Sequence, residues 1–212
     1  MQVYIDIETV PGPTRPSVDE VQAPLNYKDP EKIRAYQVAN VDEAYRKQAL
    51  DSMAGRIWCI GVAIDDGPVT VSVSDNENDL VGGLHNRLNK ETHDVVCQSD
   101  MVFIGHNAFA FDMKWIWRRA VKIGCKSLAQ RINFDRYRGN IRDTMTMWGC
   151  GDNRDYVSLD KLAEYLGVGR KTHGMDGSKV YDLWQAGDTA AVIEYCKQDV
   201  ELTREVYKRL AF

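Results

Sequence analysis

The chain has 212 residues, of which 44% are hydrophobic and 27% charged, and a net charge of −4. That is the balance of a globular domain large enough to bury a core without staples; it excludes a largely disordered chain and argues against simple polyanion binding. No apolar run approaches the ~18 residues of a membrane span. The opening Val3-Tyr4-Ile5-Asp6-Ile7-Glu8 also lacks the parts of a secretory leader, so a cytoplasmic location without a membrane partner is expected.

In chain order, residues 3–7 form a short β-branched apolar run, a buried strand into which Asp6 and Glu8 intrude. Pro11-Gly12-Pro13 breaks it. Residues 14–55 are polar and charged; Asp29-Pro30 reads as a helix start, and residues 30–52 predict one or two helices making an arm. Residues 57–64 and 69–73, joined through Asp66-Gly67, predict a hairpin. A helix follows over 76–90, a second buried strand over 101–105, and a turn at His106-Asn107. A helix over 112–123 and a short strand near 140–143 come next. Residues 159–166 predict a helix that Gly167 ends. The strongest helix spans 188–210, with Asp188 as cap and Val192, Cys196, Val200 and Val206 on its inner face. The sum is a mixed α/β architecture.

Five cysteines, widely spaced and without a C-x-x-C pair, predict reduced thiols rather than a disulfide framework or a zinc ribbon. The four histidines form no metal-binding pair at helical spacing. Charge is unevenly spread: residues 114–142 hold nine basic residues and one acid, a net of +8, which leaves −12 to the rest. With Trp115, Trp117, Phe134 and Tyr137 interspersed, that segment suits either a nucleic-acid track or a solvated charged helix face.

Three groups of polar residues stand on buried elements. Asp6 and Glu8, at i and i+2, point to one face of their strand and repel unless a proton or a cation joins them; a hard divalent cation does so at neutral pH. Strand-end acids that cap backbone or pair with arginines are the alternative. Asn107-Ala-Phe-Ala-Phe111-Asp112 follows the second buried strand, where Asp112 fits an ordinary helix N-cap. Tyr195 and Asp199, at i and i+4, share one face of the last helix.

Taken in this order, Asp-x-Glu, Asn-x-x-x-Phe-Asp and Tyr-x-x-x-Asp resemble the DEDD superfamily of 3′–5′ exonucleases in its tyrosine branch. The sequence is most similar there to the proofreading exonuclease of family-B DNA polymerases and to free-standing phage and bacterial relatives. Asp143-Thr144, Leu159-Asp160-Lys161-Leu162-Ala163 and Met175-Asp176-Gly177-Ser178 add to the resemblance, which covers residues 1–11 and about 57–212. Residues 26–33 and 49–51 of the arm look like the stand-alone phage version, so a polymerase fragment is not expected.

The resemblance implies a ribonuclease H-like mixed five-stranded sheet flanked by helices, one exonuclease domain over 1–212 with a helical arm inserted after the first strand. It implies two divalent ions, Mg²⁺ or Mn²⁺, on Asp6, Glu8, Asp112 and Asp199, with Asp6 shared and Tyr195 orienting the attacking water. Ile7, Thr9 and Val10 would contact the terminal sugar, and Asn107 and Phe111 the next nucleotide. Arg118, Arg119 and Lys122 of the basic segment would guide the strand. The expected substrate is a single-stranded DNA 3′ end, released as nucleoside 5′-monophosphates in the cytoplasm of a bacterial cell or phage host. An exoribonuclease or oligoribonuclease and a non-catalytic nucleic-acid-binding module are the competing readings. His106 reads as a turn or pocket residue. The arm, emerging just after Asp6 and Glu8, is placed either to close over a strand or to pack on the sheet.

Overall fold

The computed structural model describes residues 1–92, 101–135, 137–171 and 177–211. His93, Cys97, Arg136, His173 and the pair Met175-Asp176 lie outside the described residues. The described chain divides into two compact units, Met1–Glu8 with Ile57–Phe212, and Thr9–Arg56.

Strands β1 (Gln2–Val10), β2 (Arg56–Ile64), β3 (Thr70–Val73), β4 (Val102–Gly105) and β5 (Ile141–Asp143) form one sheet in the order β3-β2-β1-β4-β5. β2 and β3 make the antiparallel hairpin expected around Asp66-Gly67. β1 pairs with β4 and β4 with β5 in parallel, Val3 opposite Phe103 and Phe103 opposite Ile141. A parallel central strand is covered on both faces, and β1 is accordingly buried at seven of its nine positions, polar ones included.

Alternation along β1 sends its residues to two different layers. Val3, Ile5 and Ile7 enter the main core with helices α2 (Glu77–Thr92), α3 (Asp112–Lys122) and α4 (Lys126–Arg131), through Leu84, Ile116 and Leu128 among others. Tyr4 faces the other way, to Ala63, Ile104 and Val200. α5 (Thr144–Trp148), α6 (Leu159–Leu166) and α7 (Val180–Ala186) precede the long α8 (Thr189–Leu210). Leu159, Leu162 and Ala163 of α6 pack on Leu202 and Val206 of α8. A side chain at Gly61 of β2 would stand 2.6 Å from Cys196 Sγ, so that glycine lets α8 lie close on the sheet.

The helix ends follow local chemistry. Asp188 accepts from Ala191 N at the start of α8, and Gly167, at φ +66°, ends α6. One expected cap is not one: Phe111 stands at the N-cap of α3, and Asp112 is its first helical residue. The short helices α4, α5 and α7 were not expected; none runs beyond seven residues, too few for an apolar stripe to repeat.

The unit Thr9–Arg56 contains α1 (Pro30–Lys47), capped by Asp29 through Glu31 N. No residue of α1 is buried, and of the unit's aliphatic and aromatic side chains only Val10, Pro11 and Val21 are. Polar ties hold it instead: Tyr45 donates to Gly12 O at 3.1 Å, Gln37 to Val21 O at 3.0 Å, and Arg15 pairs with Asp42.

Candidate active site

β1 carries Asp6 and Glu8 on the face turned to α8, and α8 brings Asp199 to them. Their carboxylate oxygens lie within 4.8 Å of one another. Burial raises all three carboxyls above the usual range, and their mutual repulsion adds to this for Asp6 and Glu8. Asp6 Oδ2 is buried and has no hydrogen-bond partner among the described residues. Three converging acids with an orphaned oxygen call for a cation, and an all-carboxylate donor set fits Mg²⁺ or Mn²⁺. The four described cysteines are free thiols, and this triad is the only group of three possible metal ligands among the described residues.

Asp112 stands beside the triad rather than in it. Its Oδ1 accepts from Ile7 N at 3.0 Å, which fastens the head of α3 to β1. Burial pushes its carboxyl up to about 7 despite that bond, with Asp143 and Asp199 also raising it.

Tyr195 sits one helical turn before Asp199, nearly buried, and its hydroxyl is hydrogen-bonded to the Asp199 carboxylate. Burial, then Asp199 and Glu8, raises its phenol, so the hydroxyl keeps its proton. The residue that sequence reasoning missed is Lys171. Its Nζ lies 2.7 Å from Asp199 Oδ1 and donates to Asp199 Oδ2 at 2.7 Å and to the Tyr195 hydroxyl at 3.1 Å. It also stands 4.6 Å from the centre of the Tyr195 ring. Lys171 N donates to Asp160 Oδ1 at 2.7 Å, so the first turn of α6 anchors the lysine. No periodicity marks a single lysine in a polar loop; only its partners reveal it.

Asp143, at the end of β5, shapes the loop after β4. Its carboxylate accepts from Asn107 N, Phe109 N and Met145 N at 2.8, 2.9 and 3.0 Å. Those bonds hold Asn107 in the left-handed region at φ +63° and present Asn107 and the half-buried Phe111 just ahead of Asp112. His106 is a tie: its Nε2 lies 2.9 Å from Val157 O and its Nδ1 2.9 Å from Thr144 Oγ1. Burial lowers its imidazole, which is therefore neutral, with Nε2–H donating to the carbonyl.

The remaining expected contacts fare unevenly. Ile7 is buried in the core, and its N–H is taken by Asp112. Val10 is fully buried, and the Thr9 hydroxyl donates to Ala49 O at 2.5 Å, so those two side chains have other uses than a sugar contact. Arg119 corrects the strand track: it is 2% exposed, pairs with Glu77 at 2.9 Å and lies over the Trp115 ring. The apolar stripe of α3, Trp115, Ile116 and Ala120, includes position 119, so the arginine points inward whatever the charge of its neighbours. Arg118 is half-buried and Lys122 exposed, about 9 and 15 Å along α3 from Asp112.

Residues 43–212 match the model of a family described as predicted 3′–5′ exonucleases related to the exonuclease domain of PolB. The chain belongs to that family. The match takes in Asp112, Lys171, Tyr195 and Asp199 but begins after Asp6 and Glu8, which the fold brings beside Asp199. Among solved structures, the family B DNA polymerase of the hyperthermophilic archaeon Pyrobaculum calidifontis matches 99% of the chain at 18% identity, with a TM-score of 0.56. The chain spans about a quarter of that polymerase, 24% of its length. The likeness fits the ribonuclease H-like arrangement of a mixed five-stranded sheet flanked by helices. No curated protein matches the sequence. Among the described residues, no helix is long and apolar enough to cross a membrane.

Proposed function

We propose that this exonuclease hydrolyses single-stranded DNA from its 3′ end to nucleoside 5′-monophosphates, through two divalent cations and the tyrosine-branch set of residues. The observation that carries the reading is the convergence of Asp6, Glu8 and Asp199 within 4.8 Å in a family of 3′–5′ exonucleases. Asp6, Glu8 and Asp199 would hold one Mg²⁺ or Mn²⁺ ion, and Asp6 with Asp112 a second. Such ions supply Lewis acidity and positive charge to a scissile phosphate.

The chain's own groups do the rest. Tyr195 keeps its proton and is a poor base, so its hydroxyl serves to orient the attacking water. Lys171 keeps the Tyr195 hydroxyl and the Asp199 carboxylate in register and offsets the charge of the cluster. Water adds to phosphorus, the P–O3′ bond breaks, and the departing O3′ takes a proton. The loop held by Asp143 offers Asn107 and Phe111 to the end of the strand.

The test is digestion of 5′-labelled DNA and RNA oligonucleotides with Mg²⁺, Mn²⁺ or chelator. Stepwise shortening of DNA with metal and none with chelator is expected. Internal cuts or chelator-resistant cleavage would overturn the proposal; faster shortening of RNA would transfer it to the exoribonuclease reading.

A further inference from the structure

The basic segment loses Arg119 to the interior, yet its later arginines line a different surface. Two adjoining cavities, of about 390 and 470 Å³, flank β5, the edge strand of the sheet. Asn133, Gly139 and Arg142 line both, so the two border one another as a groove along β5. One end of this groove lies at Val102, where β4 begins; the other lies at Asp143 and Phe109, where β5 ends and the loop toward Asp112 passes. The groove thus follows β5 for about 10 Å toward the catalytic end of the sheet.

Its chemistry is that of a single-strand track. Arg131, Arg138 and Arg142 line it, the last two exposed. The side chain of Arg131 is set in place by Asn89, whose Oδ1 accepts from Nη2 at 2.6 Å. Tyr137 is 88% exposed at the far end, and Phe109 is 43% exposed at the near end, its ring braced edge-on by Phe134 at 5.5 Å. Two acids share the wall, and backbone occupies both: Asp135 accepts from Tyr137 N and Arg138 N, and Asp143 from Asn107 N and Phe109 N. Arginines for phosphates between two aromatic platforms for bases is the combination that binds single strands irrespective of sequence.

We infer that the groove along β5, with Arg138 and Arg142 on phosphates and Tyr137 and Phe109 under bases, holds the single-stranded segment upstream of the 3′ end. This rests on the nuclease reading above for its direction, since the near end of the groove adjoins the Asn107–Asp112 loop. It makes the enzyme's affinity depend on strand length and not only on the terminal nucleotide.

The test is equilibrium binding of fluorescent oligonucleotides of about 4 and about 12 nucleotides, in chelator, over a range of salt. Arg138→Gln with Arg142→Gln should weaken the longer strand roughly tenfold and reduce the slope of log affinity against log salt by about 1.4, two phosphate contacts at ~0.7 each. The lysine pair Arg138→Lys with Arg142→Lys should restore most of the slope, which a merely structural role would not. Tyr137→Ala should weaken the longer strand with the slope unchanged. Affinity and slope equal to wild type in the glutamine pair would overturn the groove, as would no binding by the wild type. A wild type that binds through Arg138 and Arg142 yet cleaves nothing in Mn²⁺ would uphold the groove and overturn the nuclease reading.

Discussion

The two faces of β1 are built from alternate residues of the same strand and answer to opposite demands. Val3, Ile5 and Ile7 disappear into an apolar core beneath α2 and α3, where every group removed from water stabilises the fold. Tyr4, Asp6 and Glu8 turn to α8, where buried carboxyls repel one another and destabilise it. One face holds the strand so firmly that the other can carry charges that would not fold by themselves. The acidic layer is the liability, and the opposite core offsets it.

The sharpest way to break the comparison is to make one change on each face. Asp6→Asn should cut cleavage by about a thousandfold or more, since it removes the carboxylate proposed to be shared by two cations. The same change should leave the melting temperature of the metal-free protein unchanged or higher, because one repelling charge is gone. Loss of both activity and stability would show that Asp6 belongs to the structural face.

A pH series separates the faces without mutation. The carboxyl of Asp112, moved from its usual 3.8 to about 7, costs roughly 4 kcal/mol when ionised. A raised folded value means that its contribution is full below about pH 4 and is lost as pH rises through about 7. Asp6 and Glu8 are raised in the same direction. Calorimetry in chelator should therefore show the melting temperature falling from about pH 5 to pH 8, and Mn²⁺ should reverse the fall. A flat profile in chelator would mean that the acids are already neutralised by their surroundings.

On the apolar face, Ile5→Ala should destabilise by about 2–5 kcal/mol in urea unfolding while leaving the turnover of the folded fraction near wild type. A smaller effect belongs to Tyr195→Phe, which keeps the ring and removes one hydroxyl: single-turnover cleavage should slow about ten- to a hundredfold, the worth of 1–3 kcal/mol, with Mn²⁺ binding retained. An unchanged rate would leave Tyr195 as packing.

Legibility in the sequence followed the same division. Acids at i and i+2 in an apolar strand, and a tyrosine and an aspartate at i and i+4 on an amphipathic helix, are local patterns that only the family resemblance joined; the structure brings Asp6, Glu8 and Asp199 together. Caps at Asp188 and Gly167 were equally readable, because they act within a few residues. What local pattern does not encode is partnership across the chain. Asp112 looked like a cap but is held by Ile7, 105 residues away. Arg119 counted as a surface charge until Glu77, on another helix, took it inside. Lys171 has no pattern of its own and acquires its role from Asp199 and Tyr195.

The Cys196 thiol of α8 touches the carbonyl of Asp6, 190 residues earlier in the chain. Pairings of such span form late, after the intervening chain has collapsed around them. At about 5–20 residues per second, synthesis on the ribosome separates β1 from α8 by some tens of seconds. Throughout that interval Asp6 and Glu8 are present without Asp199 or Tyr195. On the proposed reading, a growing polypeptide beside messenger RNA carries half of its acidic site, and the site is complete only once α8 has docked.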